Sequence, residues 1–258
     1  MALGLIVSPA KKMDVVEGPP YVTSMPQHLE RTQELLARLQ QLTYDEAKDL
    51  WRCSDRLAQV NYERLCHMDL RHDLTASVLA YEGIQYQHLA ASVMDERSLA
   101  WLDQHLRILS GFYGVLRPGD GVTPYRLEMQ AKLAMPARSD RPATSNLYGF
   151  WGDALARSLA AEFDLVVNVA SVEYAKAVAP YLSDLGTDTL TCLFGAVRPT
   201  DGKLLQRSTE AKAARGSFVR WCAEREVTSR VELLSFGERG YRLDEERSEE
   251  RTLVFVRG

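Results

Sequence analysis

Long apolar runs are absent from this chain of 258 residues. The longest, such as Leu165 to Ala170 and Leu3 to Val7, fall far short of the roughly 20 residues that a membrane-spanning helix needs. The first residues also lack a basic region followed by an apolar stretch long enough for a signal peptide. The sequence therefore predicts a cytoplasmic protein with no membrane partner.

Motifs for metals and cofactors are missing as well. The four cysteines, which are Cys53, Cys66, Cys192 and Cys222, are widely spaced, form no C-x-x-C pair and do not cluster with histidines. We expect them to be reduced and mostly buried. The sequence has no Walker phosphate loop and no G-x-G-x-x-G after a strand, so ATP and dinucleotides are not supported as cofactors. We predict neither a metal site nor a bound cofactor.

An excess of positive charge is also absent, since 31 lysines and arginines stand against 35 acidic residues, for a formal charge of -4. A protein of this charge does not coat nucleic acid with its whole surface, so a site for a polyanion must be a local patch. Between Gly195 and Arg220 the balance reverses, with Asp201 and Glu210 as the acidic residues. The basic residues there are Arg198, Lys203, Arg207, Lys212, Arg215 and Arg220.

Part of this basic patch lies on a helix predicted from Glu210 to Arg225. Lys212 and Arg215 are three residues apart, which places them on one face of the helix. Such a face can follow a phosphate backbone. An ordinary solvated helix surface is the alternative.

Hydrophobic periodicity predicts a single mixed α/β domain over residues 1–258, because no repeat, linker or low-complexity tract divides the chain. Buried strands are predicted at Leu3 to Val7 and Phe163 to Ala170, and a hairpin from Leu190 to Gln206. Further helices are predicted from Gln27 to Leu42, Thr43 toward Trp51, Ser54 to Cys66, Asp95 to Leu109 and Leu147 to Ala161.

Two glycines, Gly111 and Gly114, follow the helix predicted to end at Leu109. They permit positive φ and close approach of the backbone to a ligand. Helix, tight glycine hairpin and helix is the arrangement of helix-hairpin-helix DNA-binding elements, whose free backbone N–H groups bind a phosphate. The segment therefore predicts a helix-hairpin-helix-like element, although two residues rather than one separate its glycines. A simple tight turn is the alternative.

Arginines near this element are candidate phosphate ligands, because a guanidinium can form two parallel hydrogen bonds to phosphate oxygens. They are Arg107, Arg117 and Arg126. Glu128 lies two residues after Arg126, so a buried Arg–Glu pair that fixes the loops is the alternative.

Polar residues follow both predicted buried strands. They are Ser8 and Lys11 after the first strand, and Ser171, Glu173, Tyr174 and Lys176 after the second. If both strands belong to one sheet, these residues converge in a cleft, which is where α/β sheets place ligands. With Glu128 they form a polar cluster that could transfer protons, although the spacing identifies no nucleophile, base and orienting group. Pairing of Glu173 with Lys176 along a helix is the alternative.

Several longer motifs are spread over the whole chain. They are Ser8-Pro-Ala-Lys11, Ser54 to Ala58, Gln104 to Pro118, Pro124-Tyr-Arg-Leu-Glu-Met129, Phe150-Trp-Gly-Asp153, Ala170-Ser-Val-Glu-Tyr174, Ala211 to Gly216 and Gly240-Tyr-Arg-Leu-Asp244. In these motifs the chain resembles the YaaA family of peroxide stress proteins.

The resemblance implies a cytoplasmic bacterial protein that limits peroxide damage, is associated with lowering free intracellular iron, and binds DNA. It also implies one α/β domain with a positively charged cleft and a helix-hairpin-helix element at about Leu106 to Pro118. DNA is then the expected partner, with no obligate protein partner. Basic residues inside the matching motifs are the candidate cleft lining, namely Lys11, Arg107, Arg117, Arg126, Lys176, Lys212 and Arg215.

Three positions depart from the family pattern. Ile84 follows Gly83 where the family usually has Asp, and Val172 and Ala175 stand where Asp and Phe are common. If those acids bind a metal or act in catalysis in relatives, this chain lacks that activity. An enzyme acting on a nucleotide or nucleic acid through the strand-end cluster is the alternative to a DNA-binding protein without catalysis.

Overall fold

Parallel strands form the centre of the fold in the computed structural model, which describes residues 2–18, 20–139 and 141–258. The strands are, in chain order, β1 (Leu3–Val7), β2 (Lys12–Met13), β3 (Thr75–Ala76), β4 (Tyr81–Glu82), β5 (Leu106–Ser110), β6 (Gly114–Leu116), β7 (Gly121–Val122), β8 (Leu165–Asn168), β9 (Asp188–Val197), β10 (Leu204–Leu205), β11 (Tyr241–Leu243) and β12 (Thr252–Arg257). Eight of them form one sheet of order β11-β12-β9-β8-β1-β5-β6, with β10 paired to β9.

Helices cover this sheet and connect its strands. They are α1 (Leu29–Leu39), α2 (Tyr44–Trp51), α3 (Asp55–Cys66), α4 (Ser77–Ala80), α5 (Ile84–Leu89), α6 (Glu96–His105), α7 (Leu147–Trp151), α8 (Ala154–Ala160), α9 (Val172–Ala175), α10 (Ala179–Leu182), α11 (Ser208–Glu224) and α12 (Arg230–Leu233), with short 3₁₀ turns at Ala91–Val93 and Glu238–Gly240. The predicted single α/β domain is confirmed.

Strand β1 occupies the middle of the sheet. All five of its residues are buried, which explains why its sequence is a continuous apolar run rather than an alternating one. It pairs in parallel with β5, where Val7 faces Ile108, and with β8, where Ile6 faces Asn168. The strands predicted at Leu3 to Val7 and at Phe163 to Ala170 are confirmed as β1 and β8.

The direction of the chain across the sheet reverses at β1. From β1 the chain continues to β5 on one side, and it later returns to β8 on the other side before adding β9 and β12. In open α/β sheets the point of reversal leaves a crevice beyond the carboxyl ends of the strands, and ligands bind there.

The helices predicted in the first quarter of the chain are confirmed as α1, α2 and α3. Thr43 caps α2 by accepting a hydrogen bond from the Glu46 backbone, while the Glu46 carboxylate accepts one from the Thr43 backbone. Helix α1 buries Leu35 and Leu39 at helical spacing, as the leucine pattern predicts.

The predicted helix-hairpin-helix element does not form. Residues 106–110 are strand β5, which pairs antiparallel with β6 through a turn that contains Gly111 and ends at Gly114. The leucines at 102, 106 and 109 have helical spacing, which favours the predicted helix from Asp95 to Leu109. Helix α6 instead ends at His105, because parallel pairing with β1 stabilises the segment that follows as a fully buried strand.

A second predicted helix, from Leu147 to Ala161, is divided in two. Helix α7 ends at Trp151, and Gly152 has a φ of +53°, a left-handed conformation that interrupts the helix before α8 begins. The hairpin of β9 and β10 and the helix predicted from Glu210 to Arg225 are confirmed, the latter as α11.

Helix α11 is held against the sheet by a cluster of aromatic rings. Phe218 on the helix packs beside Phe194 of β9 and Phe255 of β12, and those two rings stack at 5.4 Å. On its other side, Gly216 lies against α5, where a Cβ atom would stand only 2.0 Å from the carbonyl oxygen of Gln85. The missing side chain therefore lets the two helices approach closely.

Within the described residues, no helix is both long enough and apolar enough to cross a bilayer.

Gly216→Ala should lower the free energy of unfolding by about 1–2 kcal/mol, because overpacking costs about 1–3 kcal/mol. Alanine is about 1 kcal/mol better than glycine inside a helix, so helix propensity alone predicts the opposite sign. Urea denaturation followed by circular dichroism measures the change. Gly237→Ala is the matched control, since a Cβ there has no described neighbour closer than 3.9 Å. Equal stability of wild type and Gly216→Ala would show that the helix contact is not tight.

Candidate functional site

The loops after β1 and β8 meet at the crevice where the sheet reverses. The Ser8 hydroxyl oxygen accepts a hydrogen bond from the Ser171 backbone N–H at 2.8 Å and lies 3.2 Å from the Ser171 hydroxyl. The two strand ends are therefore bonded to each other directly. The predicted convergence of these strand ends in a cleft is confirmed by this geometry.

A cavity of about 430 Å³ opens above the two serines. Its walls come from the loop after β1, the start of α5, the segment at residues 125–128, the start of α9, and α11. Most of the residues predicted for the site line it, namely Ser8, Lys11, Arg126, Glu128, Ser171, Glu173, Tyr174, Lys212 and Arg215. Residues far apart in the sequence thus form one cleft.

Helix α11 supplies two cations to this cleft. Lys212 is exposed and Arg215 is half-buried, one turn further along the same face. Among the described residues, neither side chain has a carboxylate or hydrogen-bond partner, and the Arg215 Nε atom is buried without one. Burial lowers the pKa of Arg215, but an arginine remains protonated at neutral pH. The cleft therefore contains positive charge that no described carboxylate neutralises.

The segment at residues 125–128 supplies the opposite wall. Glu128 forms an ion pair with Lys11 at 2.8 Å, and its carboxylate lies 3.9 Å from Arg126. The Arg126 Nε atom is buried and has no described hydrogen-bond partner. The Arg126–Glu128 contact of the alternative prediction thus exists, but it leaves part of the guanidinium unsatisfied.

Gly111 positions this wall rather than binding a ligand. A Cβ at Gly111 would lie 2.8 Å from the Leu127 carbonyl oxygen and 3.0 Å from the Glu128 carbonyl carbon. The Trp151 indole N–H donates to the Gly111 carbonyl oxygen at 3.0 Å. Gly111 is therefore buried beneath the segment that carries Arg126 and Glu128.

Glu173, at the start of α9, is a half-buried carboxylate at the floor of the cleft. It accepts a hydrogen bond from the Gln130 backbone N–H at 3.2 Å. Burial raises the pKa of Glu173, and repulsion from the Glu128 carboxylate adds to this, while Lys11 opposes it. The side chain consequently accepts a proton more readily than an exposed glutamate. Lys176 forms no described ion pair with it and lies over the Tyr148 ring at 5.1 Å.

Tyrosines form much of the remaining wall, and the sequence did not single out two of them. The Tyr86 hydroxyl and the Gln85 amide both donate to the Ser8 carbonyl oxygen, at 2.9 and 3.0 Å. The Tyr125 hydroxyl lies 2.6 Å from the Ser110 hydroxyl. Lys12 and Glu82 also line the cleft and form an ion pair with each other. No pattern in the sequence marks these residues as part of a site, although Tyr125 lies within the motif from Pro124 to Met129, and only the folded chain brings them together.

The other predicted site residues lie elsewhere. Arg107 and Arg117 line a separate cavity of about 390 Å³, and both contact the Glu162 carboxylate. Gly114 is buried against the Trp151 ring. Of the three departures from the family pattern, Ile84 lines the cleft, Val172 is exposed outside the cleft lining, and Ala175 is buried. No three His, Cys, Asp or Glu side chains are grouped as metal ligands in the part of the chain that is described.

Replacing Glu173 with Gln should stabilise the protein at neutral pH. Because its pKa is raised on folding, Glu173 favours the folded state fully only below the ordinary value of 4.5, and that contribution is lost as the pH rises through the folded pKa. Glu173→Gln should therefore raise the free energy of unfolding at about pH 7.5 by a few tenths of a kcal/mol, a figure that allows for solvent screening. The difference should vanish near pH 4.

Denaturation curves at several pH values measure this difference, with Glu250→Gln as the control because that side chain is exposed and outside the cleft. A difference for Glu173→Gln that stayed constant with pH would contradict the assignment.

Comparison with known proteins gives one consistent result. The family described as "Peroxide stress protein YaaA" matches residues 3–247. A UPF0246 protein of Pediococcus pentosaceus is 47% identical over 98% of this chain and 97% of its own length. UPF0246 proteins of Lactiplantibacillus plantarum and Lachnoclostridium phytofermentans are 44% and 42% identical, each over 98% of this chain and over 98% and 96% of their own lengths. The chain belongs to the peroxide stress protein YaaA family, which supports a role in peroxide stress.

Proposed function

We propose that this chain is a DNA-binding protein of the response to peroxide, and that the basic residues of the cleft bind the phosphate backbone. The observation that carries the proposal is the pair of cations on α11. Lys212 and Arg215 face the crevice where α/β folds bind ligands, and no described carboxylate neutralises them. A polyanion supplies the charge that is missing there.

Many basic residues have acidic partners, and so do Lys11, Lys12 and Arg126 in the cleft, which leaves Lys212 and Arg215 as the cleft-lining cations with no described partner in a protein of charge -4. The paired residues include Lys12 with Glu82, Arg107 with Glu162, Arg198 with Asp201, Arg220 with Glu224 and Arg247 with Asp244. Within each of those pairs, the positive and negative charges largely cancel. Lys212 and Arg215 remain available for an external anion.

The proposed mode of binding uses side chains rather than a glycine hairpin. Gly111 and Gly114 are buried in the β5–β6 turn, and Arg107 is paired in another cavity, so these residues support the fold. Lys11 and Lys212 are exposed at the mouth of the cleft and are the residues that a phosphate backbone reaches first. Contacts of this kind position DNA with little base readout. On DNA, the protein would limit iron-dependent oxidative damage.

An enzyme acting on a nucleotide or nucleic acid is the second candidate, and the floor of the cleft favours it. Glu173 has a raised pKa and lies in the same cavity as Glu128 and Tyr174. A carboxyl group that takes up and releases a proton closer to neutral pH is suited to general acid–base catalysis. In this reading, the cations on α11 bind the phosphate of the substrate.

The double variant Lys212→Ala/Arg215→Ala should bind duplex DNA more weakly at low salt. Each lost phosphate contact should also reduce the slope of log K against log salt concentration by about 1. Fluorescence anisotropy across a salt series measures both quantities. Lys203→Ala is the control, because Lys203 is exposed and unpaired among the described residues but lies outside the cleft lining. Unchanged affinity and slope in the double variant would refute the placement of the DNA site.

An assay of turnover, run beside the binding assay, separates the two candidate functions at Glu173. If the cleft only binds DNA, Glu173→Gln should retain or strengthen binding, because the substitution removes a negative charge. If the cleft is a catalytic site, Glu173→Gln should abolish turnover of nucleotide or DNA ends while binding persists. Loss of DNA binding in this variant would contradict both assignments.

A further inference from the structure

The cleft is too small for the duplex that the proposed function places at its mouth. A volume of about 430 Å³ falls within the range of about 300–1,000 Å³ that is typical of pockets for small molecules. A duplex is broader than its major groove, which alone is about 12 Å wide, and so is too large to enter a pocket of this volume; a duplex bound at the mouth leaves the interior empty. The interior therefore needs an occupant of its own.

Cations at the mouth and in the interior differ in exposure. The side chains of Lys11 and Lys12 are each 66% exposed, and Lys212 is exposed as well. The Arg126 side chain is only 11% exposed, and Arg215 is half-buried. The lysines therefore meet solvent, whereas the arginines face the interior.

Both interior arginines have hydrogen-bonding capacity that the protein does not use. No hydrogen bond is described for either guanidinium: the Nε atoms are buried without a partner, and the terminal nitrogens, which are not fully buried, are the donors that a ligand can reach. Leaving a buried donor unsatisfied is unfavourable, and more so when the group is charged. A phosphate group offers several acceptor oxygens to a guanidinium fork, which neither water nor a chloride ion matches in geometry.

The rest of the interior is apolar and aromatic. Three tyrosines line it, together with Pro9, Ala10, Ile84 and Leu127; the tyrosines are Tyr86, Tyr125 and Tyr174. The Tyr125 ring stacks on Phe112 at 4.9 Å, which holds it in place. Flat aromatic side chains of this kind bind nucleobases by stacking, without a strong preference among the bases.

We propose that the interior of the cleft holds a single nucleotide, with its phosphate bound by Arg126 and Arg215 and its base against the tyrosine wall. The carboxylates of Glu128 and Glu173 line the same cavity and can accept hydrogen bonds from a sugar hydroxyl or a base amino group. The nucleotide is either free in solution or extruded from a DNA strand bound at the mouth. Only the second source rests on the proposed function.

Isothermal titration calorimetry of the whole chain tests the site directly. A deoxynucleoside 5′-monophosphate, the matching nucleoside and inorganic phosphate serve as probes under identical conditions. The nucleotide should bind at least tenfold more tightly than the nucleoside or the phosphate, because the arginines bind its phosphate and the tyrosine wall binds its base. Equal binding of nucleotide and phosphate would overturn the proposal and leave a simple anion site. No binding of any probe would also overturn it.

Substitutions at two positions place the ligand within the cavity. Arg215→Gln should weaken nucleotide binding at least tenfold while nucleoside binding changes little. Ile84→Asp adds a carboxylate to the wall at the first position of α5, where a negative charge is compatible with the helix N-terminus. It should also abolish nucleotide binding, whereas Ile84→Asn, of the same shape as Asp but uncharged, should retain it. Circular dichroism confirms that each variant is folded, and equal affinities across the set would overturn the placement.

A second experiment identifies the source of the nucleotide. A fully paired duplex is compared with one that carries a single mismatched pair, because extruding a mismatched base costs less free energy. Tighter binding of the mismatched duplex, lost in Ile84→Asp, supports a nucleotide extruded from DNA. Equal binding of both duplexes, with the free nucleotide still bound, supports the free form. If duplex binds but no nucleotide does, the inference fails while the proposed function stands; if neither duplex nor nucleotide binds, both fail.

Discussion

Backbone pairing of β1 with two parallel neighbours fixes the geometry on which the cleft depends. Because β5 and β8 lie on opposite sides of β1, the chain must reverse its direction across the sheet there, and the strand ends separate to leave a crevice. The bond between the Ser171 backbone and the Ser8 hydroxyl closes the bottom of this crevice.

The parts of the fold that sequence predicts correctly have local causes. The continuous apolar run of β1 reflects burial on both faces, and the Thr43–Glu46 capping box fixes the start of α2. Convergence of the residues after β1 and β8 follows from the rule that carboxyl ends of parallel strands share one edge. That rule places Ser8 and Ser171 in one site with no knowledge of the intervening chain.

The incorrect parts are those that distant contacts decide. Leucines at 102, 106 and 109 have helical spacing, yet pairing with β1 makes residues 106–110 a strand, so the expected glycine hairpin becomes a β-turn. Arg107, which was a predicted phosphate ligand, forms an ion pair with Glu162. Conversely, no sequence pattern marks Tyr86 or Tyr125 as a site residue, and their hydroxyl groups bond to the distant residues Ser8 and Tyr81. Such pairings cannot be read from spacing alone.

The half-buried, unpaired guanidinium of Arg215 does not stabilise the fold. Burying a guanidinium without a partner is unfavourable, so folding alone would favour an apolar or uncharged side chain at position 215. The structure instead positions Arg215 firmly, since the next residue, Gly216, has no side chain and lets α11 lie directly on the Gln85 backbone. A helix held this closely, carrying an unsatisfied cation over a preformed cavity, fits the proposed binding of an external anion. Preorganisation of this kind reduces the cost of ordering the site when the ligand binds.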